Sequence, residues 1–501
     1  KIKKLLESDK TFWIIIAVFL IQAFVFAVSI NRGIPPDEDY HVGFIQYYSQ
    51  QPLTNGPFID QQTSQSLSLG DIQRAPSYLY HYLLGNIAKV AHIFTNSEAA
   101  LTYLMRFLNI GLVVLGLVVL RKLFNEIKVK KIHQNLTFIV IALTTMFVGV
   151  SAAVNYDNAI FLIVNLFLLE LIRFIKKRSA IDFMLLVIFG ALGMLVKYAF
   201  STIIAAAFIV LLVQIVKDRK ILVDLKNSFK LIFKQQKLLS AGLLLLLVLS
   251  LGLFTERYVM NAVQYKAITP ACTKLHTETE CRLNKIYRRD ADQKAAFDKF
   301  IQEGGEVIYN PFGFVGNWLS QMYEGLFFYL GQVSIYPSYR LKNLTAIFFL
   351  ISFVIILIYY RRGSVLTGPE DKIIAFVVIF YGLALFVHNL NAYLNSASFY
   401  GFQGRYLIPV APFLFLFFVR ALYSSGETLI KNGRNKLVYG FIISALILGY
   451  LHMPALVLYR GLDNTWSPGP TRSLNAKIQT VLTELKIAQK GSLPNSTTVS
   501  H

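Results

Sequence analysis

The sequence predicts an all-α polytopic membrane protein with about 11 transmembrane helices, and three observations favour that class. Apolar residues make up 55% of the 501 residues, and the mean hydropathy is +0.52. Several apolar runs reach the roughly 18 to 20 residues that cross a bilayer. Lysine and arginine gather in short clusters between these runs, as the positive-inside rule produces. The net charge of +21 is therefore attributed to topology rather than to nucleic-acid binding.

The amino-terminal segment KIKKLLESDK is basic and is expected to be cytoplasmic, which directs the first span, 11–30, outward. That span is too long for the apolar core of a signal peptide, so we expect it to remain as an anchor. The other predicted spans are 100–120, 137–154, 158–175, 181–197, 199–216, 238–255, 344–360, 373–390, 405–422 and 437–455. This topology places the carboxyl terminus outside and the basic clusters between spans on the cytoplasmic side of the cell membrane.

The predicted spans divide the chain into four parts. These are a membrane core of seven spans at 1–255 with a first external loop at 31–99, an external insert at 256–343, a second core of four spans at 344–455, and an external tail at 456–501. Within the insert, 281–303 predicts an amphipathic helix that ends at a glycine pair. Residues 311–340 are apolar and aromatic but broken by Gly and Pro, which favours an external or re-entrant layer over a full crossing.

The only two cysteines, Cys272 and Cys281, lie in the external insert. A short-loop disulfide between them is expected in that compartment, with a stabilisation of about 2 to 3 kcal/mol. The alternative is a pair of free thiols. A zinc site is disfavoured because no His/Cys spacing of that kind appears.

The segment PPDEDYH, residues 35–41, follows the first span. Proline and acids at such a place are typical of a helix start. If a helix begins at Pro36, Asp37 and His41 share one face, and Glu38 lies close to His41. A carboxylate oriented by an imidazole suits proton abstraction from a hydroxyl, and the same residues suit an oxygen-rich divalent metal site. The helix cap, the catalytic carboxylate and the metal site all remain open readings of this segment.

Two further polar stretches are predicted near the external face, where ionisable groups are costly unless they are paired or hydrated. In DIQRAPSYLYHYLLG, Arg74 precedes Tyr78 and Tyr80, a pattern that an interfacial aromatic belt would also give. In NYDN, Asn155 and Asp157 separate two spans, which a tight turn explains as well as a site does.

Two cations lie close to span ends on the same predicted face. Lys197, in MLVKYAF, occupies a short external turn, where snorkelling to the interface is the alternative to a functional role. Arg405, in QGRYLIPVAP, stands at the mouth of the tenth span, where a guanidinium is well placed to hold a phosphate at headgroup depth. Snorkelling would also explain this arginine.

These motifs, in this order, resemble those of the bacterial integral-membrane glycosyltransferases of the GT-C class. The acid pair in the first external loop, the R-x-P-x-Y-x-Y stretch, NYDN and QGRYLIPVAP carry the resemblance. Within the class the chain is most similar to the DUF2142 membrane proteins, through P-x-D-E-x-x-H and QGRY-x-x-P. It resembles the protein mannosyltransferase and aminoarabinose transferase branch more distantly. The similarity covers most of the membrane core and leaves the insert at 256–343 unmatched.

The resemblance implies inverting transfer of a sugar from a polyprenyl-phosphate carrier to a glycan, lipid or protein acceptor on the external face of the bilayer. Asp37 would be the general base or a metal ligand, with Glu38 assisting and His41 beside them. Arg405 would hold the departing phosphate, with Lys197 and Arg74 as further candidates. Substrate contacts are expected from Tyr78, Tyr80, Asn155, Asp157, Gln403 and Tyr406. A divalent cation, Mg or Mn, is optional, because cations of the chain can neutralise the leaving phosphate.

Two other functions fit the same composition. A flippase or carrier of lipid-linked glycans would also have many spans and few buried charges, but transporters often show two similar halves, which the sequence does not. An external polymerase or ligase of lipid-linked glycans would share the compartment and the donor type. The early Asp37–Glu38 pair favours the glycosyltransferase.

Overall fold

The structure is a computed structural model of the chain. It describes residues 2–52, 56–59, 62–307, 309–330, 333–334, 339–359, 363, 365–397, 399, 401–434, 436–438, 440–442, 444–445 and 467–484. Within these residues the fold is helical apart from one antiparallel pair of two-residue strands, β1 (Tyr329–Leu330) and β2 (Val333–Ser334). The prediction of an all-α architecture is confirmed for the described part of the chain.

The α-helices up to the tenth are α1 (Ile2–Leu6), α2 (Asp9–Ser29), α3 (Glu38–Gln50), α4 (Ser64–Leu67), α5 (Leu79–Ala91), α6 (Glu98–Glu126), α7 (Lys131–Leu143), α8 (Thr145–Ser151), α9 (Tyr156–Lys177) and α10 (Ala180–Val196). The following ones are α11 (Ser201–Lys217), α12 (Lys220–Gln235), α13 (Lys237–Phe254), α14 (Met260–Tyr265), α15 (Glu278–Cys281), α16 (Lys285–Gln302), α17 (Pro311–Phe327), α18 (Tyr339–Tyr359), α19 (Pro369–Ser396), α20 (Ala411–Lys431) and α21 (Gly469–Glu484).

Seven helical segments in the described residues are long and apolar enough to cross a membrane. They are α2, α6, α9, α11 with the 3-10 turn before it, the continuous run Lys237–Tyr265, α19 and α20. The bent pair of α7 and α8 would make eight, and α10 and α18 are apolar but contribute shorter segments. The chain is thus a multi-pass membrane protein. The structure does not establish 11 spans, and most of the predicted span 437–455 lies outside the described residues.

Three predicted spans differ from the helices observed. The span 137–154 is broken at Thr144 with a bend of 72°, where the Thr144 hydroxyl donates to the Val140 carbonyl at 2.8 Å and competes with the helix ladder. The span 238–255 continues through a π-helical turn, Thr255–Val259, to Tyr265, so the insert begins after that helix. Helix α20 begins at Ala411 rather than 405, which leaves Arg405 in a separate 3-10 turn, Gly404–Leu407.

The core forms around α9, which packs between α6 and α10. Its buried face, including Phe161, Val164 and Leu168, lies in one continuous apolar cluster with residues of α2 and α6. Burial on this scale contributes about 25 cal/mol per Å² of apolar surface in water, and less between lipid-covered helices, where close packing replaces the hydrophobic effect. The arrangement fixes the polar residues at the helix ends.

Basic residues gather at one end of the bundle, here called the basic end. At this end Asp9 pairs with Arg121 and with Lys131, at 2.6 Å for the lysine, and Lys176 pairs with Glu126 at 2.9 Å. The starts of α2 and α7 therefore meet the ends of α6 and α9. The alternation of helix directions expected from the charge clusters is present among these helices.

The opposite end, here called the site end, collects the motif residues. There the segment before α3 contacts the start of α9, because Asn155 donates to the Pro36 carbonyl at 3.0 Å. The turn between α10 and α11 contacts the loop before α5, since the Tyr198 amide donates to the Ser77 hydroxyl at 2.9 Å. The motifs that lie far apart in sequence are thereby brought to one end of the bundle.

The insert adds helices at the site end. Helix α16 covers most of the amphipathic stretch predicted at 281–303, and Cys272 and Cys281 form a disulfide. Helix α17 packs against α8 and the 3-10 turn 404–407, and Trp318 donates to Asn389 at 3.1 Å. Tyr309, just before α17, donates to the Leu394 carbonyl near the end of α19 at 2.9 Å. Helix α17 thus begins beside the end of α19 and runs past Asn389.

Candidate functional site

Asp37 stands at the start of α3, but its side chain does not cap that helix. Its backbone has φ 57° and ψ 12°, a left-handed conformation that is uncommon outside glycine and that Asp and Asn tolerate best. The carboxylate accepts a hydrogen bond from Nη2 of Arg405 instead. Of the readings open for PPDEDYH, side-chain capping by Asp37 is therefore excluded. Backbone strain of this kind often accompanies a functional position.

Arg405 is held in place by a close backbone contact. Gly404 lies against α17, where an added Cβ would come within 2.4 Å of the Met322 carbonyl oxygen and 2.5 Å of the Leu326 nitrogen. Only glycine allows this approach. The hydroxyl of Tyr381 donates to the Tyr406 carbonyl at 2.8 Å and fixes the other side of the turn. The QGRY motif thus fixes the backbone position of Arg405.

The guanidinium of Arg405 has unused hydrogen-bonding capacity. Its side chain is 4% exposed, whereas that of Asp37 is 26% exposed. Within the described residues Arg405 donates only to Asp37, and its Nε is buried without a hydrogen-bond partner. A buried guanidinium with a single partner is costly in free energy unless a ligand completes its contacts.

A second ion pair, between Lys197 and Asp157, lies beside the first. Asp157 stands in the first turn of α9, which Asn155 caps by accepting from the Asp157 amide at 2.9 Å. The ammonium of Lys197 lies 4.6 Å from the centre of the Tyr156 ring and 5.2 Å from that of Tyr406. The Arg405 guanidinium is also 5.2 Å from the Tyr406 ring. Tyr406 therefore lies against both cations.

We call Asp37, Arg405, Lys197, Asp157, Tyr156 and Tyr406 the charged cluster. It holds two cations and two carboxylates, so its formal charge is zero. Burial alone would lower the pKa of Lys197, but the neighbouring Asp157 carboxylate and Tyr156 outweigh burial and raise that pKa above its ordinary value. Both cations are therefore charged at neutral pH. They form only one salt bridge each among the described residues.

Glu38 is occupied by a structural ion pair. Arg106 of α6 donates to both carboxylate oxygens, at 2.8 and 2.5 Å, and also to the carbonyls of Ala27 and Ile30. The amide of Val154 donates to Glu38 at 3.0 Å. Glu38 is fully buried. This network joins α2, α3, α6 and the residues before α9, so Glu38 acts as a structural tie and not as a carboxylate open to substrate.

His41 and His81 form a buried pair. Nδ1 of His41 lies 2.8 Å from Nε2 of His81, and the Ser77 backbone near His81 favours the protonated form of that ring. Burial lowers the pKa of His81 to about 3 and lowers that of His41 well below its ordinary value, to which the nearby His81, Arg405 and Lys197 contribute. Both rings are therefore neutral at neutral pH.

The contact between the two rings and the Ser77 backbone together indicate their tautomers. A neutral imidazole carries one N–H. The Ser77 backbone favours an N–H on His81, and because Nε2 of His81 faces His41 we infer that His81 carries its proton at Nδ1. Nε2 of His81 must then accept from Nδ1–H of His41. Nε2 of His41 is left as a lone-pair acceptor, and no described residue donates to it. His41 is consequently fixed in the form that can take up a proton at Nε2.

No protein-family model and no curated protein matches this chain.

Two tyrosines expected to contact substrate are buried structural residues. The Tyr80 hydroxyl donates to Oδ1 of Asn109 at 2.9 Å, and the Asn158 side chain donates to the same Asn109 oxygen at 2.9 Å. Tyr78 is 2% exposed and lies under Arg257, whose guanidinium is 4.6 Å from the ring centre.

Asn155 is fully buried in its capping role. Gln403 precedes the turn that carries Arg405 and is partly exposed there.

Arg74 belongs to a separate polar group. All three of its donor nitrogens are engaged, by the Asn261 side chain at 2.8 Å and by the side chain and backbone of Glu256 at 2.7 and 2.9 Å. Arg74, Glu256 and Arg257 line a cavity of about 360 Å³. The structure does not bring Arg74 into the charged cluster, and its spare capacity for phosphate is low.

The three residues suggested as metal ligands do not converge on one point. Asp37 pairs with Arg405, Glu38 with Arg106 and His41 with His81. No group of three or more His, Cys, Asp or Glu side chains in the described part of the chain could hold a metal ion. The divalent-cation site considered for PPDEDYH therefore does not fit these residues.

Two buried arginines, Arg106 and Arg257, are important features that the motif reasoning missed. Arg106 interrupts the apolar run of the predicted span 100–120, and a charge inside a membrane segment is by itself a signal that it has a partner. Arg257 follows the predicted end of another span and donates to the carbonyls of Gln73 and Pro57, at 2.7 and 3.0 Å. Nothing local in the sequence indicates those carbonyl partners.

Proposed function

We propose that the protein is a GT-C-type glycosyltransferase that transfers a sugar from a polyprenyl-phosphate-linked donor to an acceptor at the external face of the membrane. The observation that carries the proposal is the charged cluster. It combines two cations that have spare donors with a carboxylate, at the end of the bundle away from the basic end. A lipid-linked donor keeps its phosphate at headgroup depth, where such a cluster would meet it.

Arg405 and Lys197 are proposed to bind the donor phosphate. A planar guanidinium can donate two parallel hydrogen bonds to phosphate oxygens, and Nε of Arg405 is buried without a partner among the described residues. Lys197 adds a point charge beside the same Tyr406 ring, whose centre lies 5.2 Å from each cation. Negative charge grows on the phosphate as its bond to the sugar breaks. Preorganised cations in a poorly hydrated site stabilise that change most strongly.

Asp37 is proposed as the general base. Phosphate binding competes with Asp37 for Arg405 and so releases the carboxylate. Asp37 then takes the proton of the acceptor hydroxyl while the acceptor oxygen bonds to the anomeric carbon. The bond from that carbon to the phosphate oxygen breaks, its electron pair stays on the phosphate, and the anomeric configuration inverts. Before the donor binds, Asp37 is paired with Arg405, and Asp157 with Lys197. Donor binding is therefore the event that frees Asp37 to act as the base.

The proposal is tested by Asp37→Asn and Arg405→Ala in cells, with membrane abundance checked and the surface glycans profiled by mass spectrometry. Asp39→Asn is the matched control, because Asp39 lies two residues further along the chain but is exposed and, among the described residues, pairs only with Arg32. We expect loss of one glycan feature in the first two variants and a wild-type profile in the control. An unchanged profile in Asp37→Asn would contradict the assignment of the base.

Mass spectrometry of lipids that co-purify with the protein separates this function from its alternatives. We expect a polyprenyl-phosphate monosaccharide to be enriched with wild type and to be depleted with Arg405→Ala. A polymerase or ligase would instead retain a lipid-linked oligosaccharide. A transporter would retain a lipid-linked glycan and, in reconstituted vesicles, would move it across the bilayer without converting it to a product.

A further inference from the structure

Helix α12 connects two membrane-spanning segments at the basic end. It follows α11, which ends at Lys217, and precedes α13, which begins at Lys237. Its 16 residues correspond to about 24 Å of helix. Because both of its ends continue directly into spans, α12 must run along the membrane boundary rather than away from it. The basic residues of this connection are Lys217, Arg219, Lys220, Lys226, Lys230, Lys234 and Lys237.

The inner face of α12 is fixed to the start of α10. Ile221 and Ile232 are buried, and the Ser228 hydroxyl accepts from the Ala180 amide at 2.9 Å. The two acids of the connection, Asp218 and Asp224, both accept from Arg178, at 2.5 and 2.7 Å. The two carboxylates of this segment are thus paired with an arginine of the fold, and the charge on its outward-facing side is positive.

The outer face of α12 carries a row of lysines beside exposed apolar side chains. Lys226, Lys230 and Lys234 follow one another at four-residue intervals, so they lie on one face, and none forms an ion pair among the described residues. Leu222 stands one turn before this row and is 53% exposed, and Phe233 adjoins Lys230 and is 42% exposed. A basic row with an apolar edge is the pattern of a helix that lies in the headgroup layer.

We propose that α12 is an anionic-phospholipid binding site, with Lys226, Lys230 and Lys234 contacting headgroup phosphates while Leu222 and Phe233 enter the acyl boundary. The tether to two spans selects the bilayer as the partner, because it holds this face at the membrane surface. The proposal does not depend on the function of the charged cluster at the other end. Each lysine near an anionic surface strengthens attachment about fivefold, and salt weakens the effect.

The test uses the full chain in nanodiscs made of phosphatidylcholine alone or with about one part in three of phosphatidylglycerol, a composition that gives a negative surface. Native mass spectrometry then counts the lipids that stay bound after release from the disc. Wild type is expected to retain phosphatidylglycerol in preference to phosphatidylcholine. In the triple variant Lys226→Gln, Lys230→Gln, Lys234→Gln, the preference for phosphatidylglycerol is expected to fall by at least about tenfold.

The matched control removes the same charge elsewhere, through Lys285→Gln, Lys294→Gln and Lys299→Gln in α16 at the site end. All six lysines are exposed, so both variants are expected to fold, which size-exclusion chromatography checks. The control should keep the wild-type preference. Equal retention of phosphatidylglycerol by wild type and the α12 variant, or an equal loss in the control, would overturn the proposal.

Discussion

Asp37 and Arg405 form an ion pair although 368 positions separate them in the sequence. The pair joins the start of α3 to the 3-10 turn that α17 supports, and within the described part of the chain it leaves Nε of Arg405 without a partner. Each residue thus has one strained or unsatisfied feature: a left-handed backbone at Asp37 and an unpaired donor at Arg405. Backbone strain and buried donors without partners are both found preferentially at functional sites.

The backbone of Asp37 predicts a difference in stability between two variants that both remove its charge. Asp37→Asn keeps a residue that tolerates positive φ, whereas Asp37→Ala does not. We expect Asp37→Ala to unfold with a free energy about 1 kcal/mol below that of Asp37→Asn. Thermal unfolding in detergent measures the difference, and glycan profiling should show both variants to be inactive. Equal stability of the two would contradict the strained backbone.

The Glu38–Arg106 pair predicts a structural rather than a catalytic effect. Replacing Glu38 with Gln leaves Arg106 buried without its counter-ion, which should cost about 3 to 5 kcal/mol of unfolding free energy. The double variant Glu38→Gln, Arg106→Met should recover part of that loss, because it removes the unpaired charge. Thermal unfolding of the single and double variants tests the coupling. A stable, inactive Glu38→Gln protein would instead favour a catalytic role.

The contact between Gly404 and α17 predicts that Gly404→Ala is strongly destabilising. The new Cβ would overlap backbone atoms of Met322 and Leu326, which cannot move aside as a flexible side chain can. We expect a loss of about 3 kcal/mol, and of the activity that depends on Arg405. Gly382→Ala in α19 is the control, because no atom of the described residues lies within 4 Å of an added Cβ there and alanine favours a helix. A Gly404→Ala protein as stable as the control would show that the contact is loose.

The sequence was sufficient for features that depend on local patterns. Apolar runs and basic clusters predict the long helices because span length and loop charge are read from neighbouring residues. The predicted boundaries of the helices were wrong where tertiary contacts determine them. The break at Thr144 involves neither Gly nor Pro, and Arg405 is outside α20 because its turn packs on a helix of the insert. Residue spacing could not supply those contacts.

The candidate site was predictable in its residues but not in its pairings. Asp37, Lys197, Asp157 and Arg405 were all expected at one face, and the structure brings them into one cluster. Arg74 was expected with them and lies elsewhere, because Glu256 and Asn261 engage it. Long-range pairing of charges follows from the packing of whole helices. A single sequence carries no information on such partners beyond the rule that buried charges must have them.

The tautomers of the histidine pair predict a spectroscopic result that does not require a substrate. Nitrogen-15 NMR of histidine-labelled protein should show His41 protonated at Nδ1 and deprotonated at Nε2 at neutral pH. His81→Phe removes the acceptor and should shift part of the His41 population to the Nε2–H form. His81→Gln, whose side-chain oxygen can accept, should restore the Nδ1–H form in part. An unchanged His41 signal in His81→Phe would contradict the tautomer assignment.

The same two rings predict how stability depends on pH. Their pKa values are lowered in the folded protein, to about 3 for His81, so the unfolded chain binds protons first as the pH falls below about 6.5. The free energy of unfolding should therefore be highest above that pH and decrease towards acid, by about 1.4 kcal/mol per pH unit for each ring. Thermal unfolding between about pH 6.5 and 4 measures this slope. His81→Gln removes one of the two titrating rings. It should reduce the histidine contribution to this slope by about half, because burial still lowers the pKa of His41. Parallel curves for wild type and His81→Gln would show that His81 is accessible to protons in the folded state.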